Sequence, residues 1–315
     1  MKQMRSPLAL LAVAVLVTAG ISGCSGNGSG GSPLQAVSER ASPNLNAVIA
    51  YAAFGGGGQL FVFSVRDTGS GNRLLTPLDN DANVSNDGGF HPAWSPDGST
   101  IAFVRTDDGN NDIFTMGANG TGGGVTQLTT DTGSDKQPCY SRQADKIAFV
   151  SNRDGTNDIW IMDPDGGNQT QVTSGPADDQ WPCFDDTGQF IAYQSDADAT
   201  PDQVDDTDIW VEDLNSPGTP TDLTDGSPSD QGAPSWSPDG TTILYHDDVA
   251  GSFDVWSMDS NGANPQQLVV NPLSQGFPVW YPDGSRFAYV EARAIWTALP
   301  DGTDPFQVTR SVVQP

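Results

Sequence analysis

The chain has 315 residues, of which 36% are hydrophobic and 36 are glycine, so it is long and apolar enough to build one large globular domain. It carries 13 basic and 40 acidic residues, and its formal net charge is −27 at pH 7. This charge excludes nucleic acid and anionic membrane surfaces as favourable partners, because both repel a negative protein. Basic protein segments and cations are the partners that the charge favours. An acidic surface that serves only solubility is the alternative.

The N-terminus has the features of an export signal. Lys2 and Arg5 precede an apolar stretch at 8–17, and a run of small residues follows and ends at Cys24. The apolar stretch is too short to span a membrane comfortably. The last four residues, 21–24, resemble a bacterial lipobox, which implies cleavage before Cys24 and lipidation of its thiol. A plain secretory signal and an uncleaved anchor are the alternatives.

Cleavage there would leave a lipid-anchored protein at the cell envelope, on the periplasmic side or on the outer surface. Residues 25–32 are almost all Gly and Ser, which is typical of a flexible tether. The predicted layout is therefore a signal peptide at 1–23, a lipidated Cys with its tether at 24–36, and a folded domain at 37–315. The processed chain would carry 11 basic residues, two fewer than the full chain, against 40 acidic ones.

A repeat of 44 to 52 residues fills the folded domain. Each unit has an aromatic-bearing start, two apolar runs and a short Gln-Leu-Thr or Gln-Val-Thr segment, which predicts four short strands. Four strands in roughly 45 residues, repeated along the chain, are typical of a propeller blade. The clear units begin at Pro92, Pro138, Pro182, Pro234 and Pro278.

The apolar runs indicate how the blades pack. Residues 159–162 read Ile-Trp-Ile-Met, whereas a strand with one solvent-exposed face would alternate apolar and polar residues. Both faces of such a strand must be buried, and radial stacking achieves this because each blade covers its neighbour. Turns with the sequence Ser-Pro-Asp-Gly, as at 95–98, are predicted to join the first two strands of a blade.

These repeated elements carry a family resemblance. The pattern P-x-W-S-P-D-G, I-A-F, D-I-W and D-G-x-N-x-x-Q-L-T, spread over 48–310, resembles the TolB-like propeller repeat. The five units, with a sixth at 48–76, predict an all-β fold, a six-bladed β-propeller of four-stranded antiparallel blades. The predicted blades span about 37–90, 91–137, 138–181, 182–233, 234–277 and 278–310.

Blade 1 has no obvious inner strand. Residues 37–41 are predicted to supply it, and closure of the ring by the C-terminal tail is the alternative. Only six residues follow Thr309, whereas the other units need nine or ten between the final Thr and the next Pro. This difference favours the N-terminal segment.

The resemblance implies a function in protein binding. TolB proteins combine the propeller with an N-terminal α/β domain, which this chain is expected to lack. We therefore expect an envelope-anchored binding or scaffolding module that receives an envelope protein or a basic peptide segment, in a Tol-type transport or envelope-integrity system. The alternative is a propeller enzyme of the lyase, lactonase or glycosidase type with its site at the channel mouth. No catalytic residue is predicted, since His91 and His246 fall in opposite blades.

The four strands of each blade alternate in direction. The Ser-Pro-Asp-Gly turns should therefore lie on one face of the propeller and the acidic loops on the opposite face. The acidic face is the predicted recognition surface, because variable loops on a rigid scaffold commonly bind partners. Polar residues just before each inner strand should ring the channel mouth there and would suit a cation or a basic peptide. Capping of loop amides is the structural alternative. The candidate channel-mouth residues are Asp135, Gln137, Asp179, Gln180, Asp230, Gln231 and Gln275.

Four aspartates precede the second apolar run at equivalent places. A catalytic acid is expected once, so the repetition favours an architectural role, with each carboxylate accepting backbone N–H bonds in the turn. These structural repeat residues are Asp112, Asp158, Asp208 and Asp254.

The insertion at 196–208 contains six acids and is the candidate cation site, because Ca²⁺ needs several oxygen ligands close together. No other cofactor is predicted. The candidate ligands are Asp196, Asp198, Asp202, Asp205 and Asp206.

Cys139 and Cys183 occupy the same inner-strand position in neighbouring units. An oxidising compartment would permit a disulfide between them. Equivalent inner-strand atoms of adjacent blades should lie roughly 8 to 10 Å apart, however, which is farther than a disulfide allows. The sequence therefore predicts two free thiols.

Overall fold

A computed structural model gives the fold. It describes residues 15–16, 48–54, 60–66, 70–76, 89–107, 109–118, 124–143, 145–197, 206–249, 251–292 and 294–309. Cys24, the tether at 25–32 and the segment at 37–41 lie outside the described residues.

The described residues form 24 strands. In chain order these are β1 (Val15–Leu16), β2 (Val48–Phe54), β3 (Leu60–Arg66), β4 (Arg73–Leu74), β5 (Phe90–Trp94), β6 (Thr100–Asp107), β7 (Asn110–Gly117), β8 (Thr126–Gln127), β9 (Asp135–Tyr140), β10 (Ile147–Ser151), β11 (Asp158–Met162), β12 (Thr170–Gln171), β13 (Gln180–Phe184), β14 (Phe190–Ser195), β15 (Asp208–Asp213), β16 (Thr221–Asp222), β17 (Gln231–Trp236), β18 (Thr242–Asp247), β19 (Asp254–Asp259), β20 (Gln266–Val269), β21 (Gln275–Trp280), β22 (Phe287–Glu291), β23 (Ala294–Ala298) and β24 (Phe306–Gln307).

Consecutive groups of four strands form six separate sheets, and every neighbouring pair within a sheet is antiparallel. The sheets are blades 1 to 6 of a β-propeller, with β1, β5, β9, β13, β17 and β21 as the inner strands. The predicted fold class, a six-bladed propeller of four-stranded antiparallel blades, is therefore confirmed. Among the described residues, no helix has the length and apolar character needed to cross a bilayer.

The core lies between blades, because each blade buries both of its faces against its neighbours. Val104 and Ile113 of blade 2, for example, pack with Ile147 and Phe149 of blade 3. These side chains are fully buried, which explains why the middle strands are apolar at consecutive positions. Stacking of this kind makes the inner strands a rigid lining for the central channel.

The ring closes between blade 6 and blade 1. Ile49 and Val65 of blade 1 share a buried cluster with Tyr281, Ala288 and Ile295 of blade 6. The cluster seals the junction between the last blade and the first.

The inner strand of blade 1 differs from the prediction. It is β1, whose two residues lie opposite Tyr51 and Ala50 of β2, whereas residues 37–41 were expected there. The physical reason is that the free edge of β2 accepts any short extended segment that offers backbone hydrogen bonds. Since β1 lies within the predicted signal peptide, cleavage before Cys24 would remove it. That cleavage stays a prediction.

Candidate functional site: the central cavity

A bulge recurs in the inner strands of blades 2 to 6 at the residue that precedes the proline. In each, the register against the second strand shifts at this point, which marks an extra residue in the inner strand. The extra residue adopts a left-handed backbone conformation, which is uncommon for side chains other than glycine. These residues and their φ angles are His91 (49°), Gln137 (54°), Trp181 (56°), Ala233 (49°) and Phe277 (53°).

Three of these side chains close one end of the channel. The ring centroids of His91 and Trp181 are 5.0 Å apart, and those of Trp181 and Phe277 are 4.9 Å apart. They come from blades 2, 4 and 6, so they meet across the channel axis. Gln137 of blade 3 fixes the arrangement, because its Oε1 accepts the Trp181 backbone N–H at 2.9 Å. We call His91, Trp181 and Phe277 the aromatic plug.

A cavity of about 140 Å³ lies beyond the plug. Its rim includes Pro96, Arg142 and Pro282, which belong to the turns between first and second strands. The cavity therefore opens on the turn side, opposite the acidic loops that were predicted as the recognition surface. Its walls come from the same two positions of each inner strand: Pro92, Pro138, Pro182, Pro234 and Pro278, and Ala93, Cys139, Cys183, Ser235 and Val279.

The inside of the cavity is close to electrically neutral. Burial, aided by the nearby charge of Lys136, lowers the pKa of His91 to about 3, so its imidazole is uncharged at neutral pH. The described residues supply no hydrogen-bond partner to His91 Nδ1. Burial and the charge of Asp97 raise the pKa of Tyr140 to about 12, so this phenol also stays uncharged. Arg142 at the rim is the positive group among the lining residues.

In three blades, the turn between the first and second strands carries an aspartate directly after its proline. Hydrogen bonds from Ser95 and Ser99 lower the pKa of Asp97, and equivalent bonds from Ser237 and Thr241 lower that of Asp239. In blade 6, Asp283 accepts a bond from the Ser285 hydroxyl at 2.6 Å. These carboxylates are held by hydrogen bonds within their own turns. Asp97, Asp239 and Asp283 are called the acidic collar below.

Of the seven predicted channel-mouth residues, Gln137 lines the cavity. Asp135 is fully buried and accepts bonds from the Arg153 guanidinium at 3.2 and 3.3 Å. Desolvation nevertheless raises the pKa of Asp135 to about 6. Gln231 and Gln275 are also fully buried, and their side-chain amides donate to Ser229 and Asn271 respectively. Asp135, Gln231 and Gln275 therefore form hydrogen bonds inside the blades.

The other three candidates also form hydrogen bonds within the protein. Asp179 is buried and accepts a bond from the Ser195 hydroxyl at 2.5 Å, while desolvation raises its pKa to about 6. Gln180 accepts a long bond of 3.5 Å from Gln137. Asp230 accepts the Thr207 backbone N–H at 3.2 Å. Loop capping, the structural alternative, describes Asp230, and a binding role for these residues stays a prediction.

The four repeat aspartates are all buried, and their carboxylates accept hydrogen bonds from neighbouring side chains. Asp112 and Asp208 accept bonds from the hydroxyls of Thr129 and Thr224. Asp254 accepts a bond from the Gln267 amide at 2.8 Å.

Asp158 accepts a bond from the Thr156 hydroxyl at 3.2 Å. The threonines of the outer strands complete the motif, because Thr129 Oγ1 also accepts the Ile113 backbone N–H at 2.9 Å. Thr173 makes the same bond to the N–H of Ile159. In blades 1 to 4 and in blade 6, the threonine at the end of the repeat therefore ties the fourth strand to the third.

The cation candidates are only partly described. Asp196 accepts the Asp178 backbone N–H at 2.7 Å, and Asp206 is half-buried. Asp198, Asp202 and Asp205 lie outside the described residues. Within the described part of the chain, no group of three or more His, Cys, Asp or Glu side chains is arranged to hold a metal ion. A Ca²⁺ site stays a prediction.

The two histidines contact different rings. His91 lies against Phe90 and Trp181, whereas His246 lies against Phe253 and Phe277. The sequence analysis missed the aromatic plug. Its signal was nonetheless present, since one residue of varying size precedes the proline that opens each unit.

The fold and cavity define the class of protein: a six-bladed β-propeller whose central channel is closed at one end. A family model described as TolB beta propeller domain matches residues 32–201, more than half of the 315 residues. The chain belongs to the TolB β-propeller family.

Solved structures with the same fold include a TolB described as putative from Agrobacterium tumefaciens, at 20% identity and a TM-score of 0.60, covering 69% of this chain and 79% of that one. TolB from Acinetobacter baumannii has 21% identity and a TM-score of 0.53, covering 68% of this chain and 49% of that one. The chain thus spans about half the length of that TolB. An oligogalacturonate lyase from Vibrio parahaemolyticus has 16% identity and a TM-score of 0.53, covering 83% and 72%.

Proposed function

We propose that this protein is an exported, envelope-anchored propeller that binds a basic segment of an envelope protein, and that a bulky apolar side chain of this segment enters the central cavity. The observation that carries the proposal is the cavity itself, which is closed by the aromatic plug and open on the turn side. Family membership supports a binding module, since the propeller is the part that this chain shares with TolB proteins.

The size and chemistry of the cavity suit an aromatic or large aliphatic side chain. Its volume of about 140 Å³ is close to the roughly 150 Å³ of an apolar protein cavity that accepts benzene. Proline rings and aromatic side chains make up most of its walls. Removing an apolar group from water into such a site is favourable by about 25 cal/mol per Å² of buried surface. The inner strands hold the walls in place, so little ordering is required on binding.

The acidic collar supplies the second half of the recognition. Asp97, Asp239 and Asp283 stand in equivalent turns of blades 2, 5 and 6, around an uncharged interior. Lys or Arg residues on either side of the inserted apolar residue would pair with these carboxylates. The net charge of −27 adds long-range attraction for a basic segment and speeds its encounter with the cavity.

The anchor would set where this binding occurs. Lipidation of Cys24 and the Gly/Ser tether at 25–32 would hold the propeller close to a membrane but free to reach a partner. A Tol-type transport or envelope-integrity system is the setting that the family suggests.

The same cavity favours binding over glycosidase chemistry, one of the three enzymatic alternatives. The described lining residues include no Asp or Glu, and glycosidase chemistry requires a pair of carboxyl groups beside the scissile bond. The oligogalacturonate lyase likeness is below 25% identity and concerns the fold.

The test is capture of a partner from envelope extracts of the host by the full chain and by two matched variants. Val279→Trp fills the cavity, whereas Val270→Trp adds the same ring at a position that is 73% exposed outside the cavity. We expect wild type and Val270→Trp to capture the same stoichiometric partner, and Val279→Trp to lose it. The captured amount should also fall as salt rises, because the collar contributes charge.

Replacement of the three collar residues by asparagine provides a second measurement that leaves the cavity unfilled. The proposal predicts weaker capture and a flatter salt dependence for this variant. Capture that is unchanged in both the filled-cavity and the collar variants would contradict the proposal.

A further inference from the structure

The first turn of blade 3 departs from the repeat at the rim of the cavity. Blades 2, 5 and 6 carry Pro96, Pro238 and Pro282 as the second residue of this turn, and blade 4 carries Asp186. Blade 3 carries Arg142 at the same place, where its side chain is half-buried and lines the cavity. Among the described lining residues, a positive charge therefore stands at the rim on the side of blade 3.

Arg142 has no acidic partner among the residues that the structure describes, although the chain contains 40 acidic and 13 basic residues. In the same blade, Lys146 pairs with Asp163 at 2.6 Å. Asp186 of the next blade is turned towards blade 5, since a Cβ at Gly240 would contact its Oδ1. The guanidinium at the rim is therefore available to an incoming anion.

A carboxylate is the anion that suits this position best. A guanidinium offers two parallel N–H groups that match the two oxygens of a carboxylate. Because the cavity holds one bulky side chain, a carboxylate that reaches the rim must lie close to the inserted residue. The α-carboxylate of a C-terminal residue meets this condition, since covalent geometry fixes it two bonds from the Cβ atom. An Asp or Glu side chain elsewhere in the segment would first have to be ordered, which costs entropy.

We propose, on the basis of the binding function above, that Arg142 binds the C-terminal carboxylate of a partner segment whose last side chain fills the cavity. The basic residues that pair with the acidic collar then precede this side chain in the partner's sequence. The cavity thereby selects a chain end, with the apolar side chain read by the walls and the carboxylate read by Arg142.

Long-range charge opposes this selection. A free carboxylate lowers the positive charge of a basic peptide by one, and the protein has a net charge of −27. Without a local contact, an amidated peptide would therefore bind more tightly than the free acid. Contact with Arg142 reverses this order, so the sign of the difference reports the contact.

The experiment titrates synthetic Lys-Lys-Phe peptides, with a free or an amidated C-terminus, into the full chain and measures affinity by calorimetry. Wild type should bind the free acid at least about tenfold more tightly than the amide. Arg142→Gln, with circular dichroism unchanged, should bind the amide more tightly. Arg73→Gln removes the same charge from an exposed position on β4 and should keep the preference of wild type.

A third peptide, Lys-Lys-Phe-Glu with an amidated C-terminus, carries its carboxylate on a side chain and should bind more weakly than the free acid. Equal binding of these two peptides would overturn recognition of the chain end. So would tighter binding of the Lys-Lys-Phe amide by wild type, and the proposed function would still stand if Val279→Trp abolished that binding. Absence of binding of any of the three peptides to wild type would contradict the proposed function together with the role of Arg142.

Discussion

Trp181 of blade 4 and Phe277 of blade 6 pack ring against ring across the channel, with centroids 4.9 Å apart. Blade 5 lies between them in the ring and contributes the small Ala233 at the same bulge. The small residue leaves room for the two large rings to meet. This size difference converts a through-channel into a cavity with a floor.

Trp181→Ala is expected to open the aromatic plug while the propeller remains folded. Ala233 already adopts the same left-handed backbone in blade 5, so the loss is confined to the two ring contacts. At about 0.5–1.5 kcal/mol for each aromatic pair, the free energy of unfolding should fall by about 1–3 kcal/mol. Urea denaturation measures this, and Trp181→Phe should recover most of the loss. A loss much above this range would mean that Trp181 supports the blades themselves.

Gly262→Ala is expected to destabilise the protein more than Gly251→Ala. Their φ angles are 83° and 84°, so an added side chain has the same backbone cost at both, about 1 kcal/mol. A Cβ at 262 would also lie 2.6 Å from the Leu223 carbonyl oxygen of blade 4, whereas nothing lies within 4 Å at 251. The difference in melting temperature between the two variants therefore reports the close approach of blades 4 and 5. Equal melting temperatures of the two variants would contradict a close approach of blades 4 and 5 at Gly262.

Thr129→Val is expected to lower the free energy of unfolding by on the order of 2–3 kcal/mol. The substitution preserves shape but removes the hydroxyl that donates to Asp112 and accepts the Ile113 N–H. Both partners are buried and would be left without this bond. Thr130→Val is the control, because Thr130 is exposed, and chemical denaturation of the two variants side by side tests the motif. The motif would be unsupported if both changes had the same small effect.

Asp179→Asn is expected to change how stability depends on pH. The folded carboxyl keeps its proton up to a pKa of about 6, whereas the unfolded one releases it near 3.8. Raising the pH from 4 to 6 therefore stabilises the unfolded wild type and lowers its free energy of unfolding. Relative to the variant, the wild type should lose on the order of 3 kcal/mol across this window and nothing further above it.

Denaturation at several pH values between 4 and 7 measures this difference. Asp154→Asn, at an exposed position in blade 3, is the control and should leave the profile close to that of wild type. A constant gap between wild type and Asp179→Asn from pH 4 to 6 would show that burial does not shift this carboxyl.

The blade architecture could be predicted because local sequence patterns determine it. Consecutive apolar residues such as those at 159–162 require two covered faces, and the Pro-Asp-Gly turns mark where hairpins reverse. The partner of β2 could not be predicted in this way. An edge strand accepts backbone bonds from any extended segment, so local sequence patterns do not specify that Val15–Leu16 pairs with it.

The cavity was harder to predict because it depends on contacts between residues of different blades. Sequence position alone placed Gln231 and Gln275 at a channel mouth, yet both are buried within their own blades. The bulge before each proline turns the side chain of the residue before it into the channel, but the position of that residue in the repeat does not by itself show that His91 and Trp181 meet there. Repetition was a sound guide for Asp112, since its bond to Thr129 recurs in blade 4 between Asp208 and Thr224.

Photo-crosslinking in the host tests whether a basic segment of an envelope protein enters the central cavity. A photoreactive phenylalanine derivative placed at Val279 lies in the cavity wall, and one placed at Val270 lies exposed outside it. We expect a covalent adduct with one envelope protein from position 279, through a segment that contains Lys or Arg beside an apolar residue, and none from position 270. An adduct formed only from position 270, or with a segment that is acidic, would contradict it.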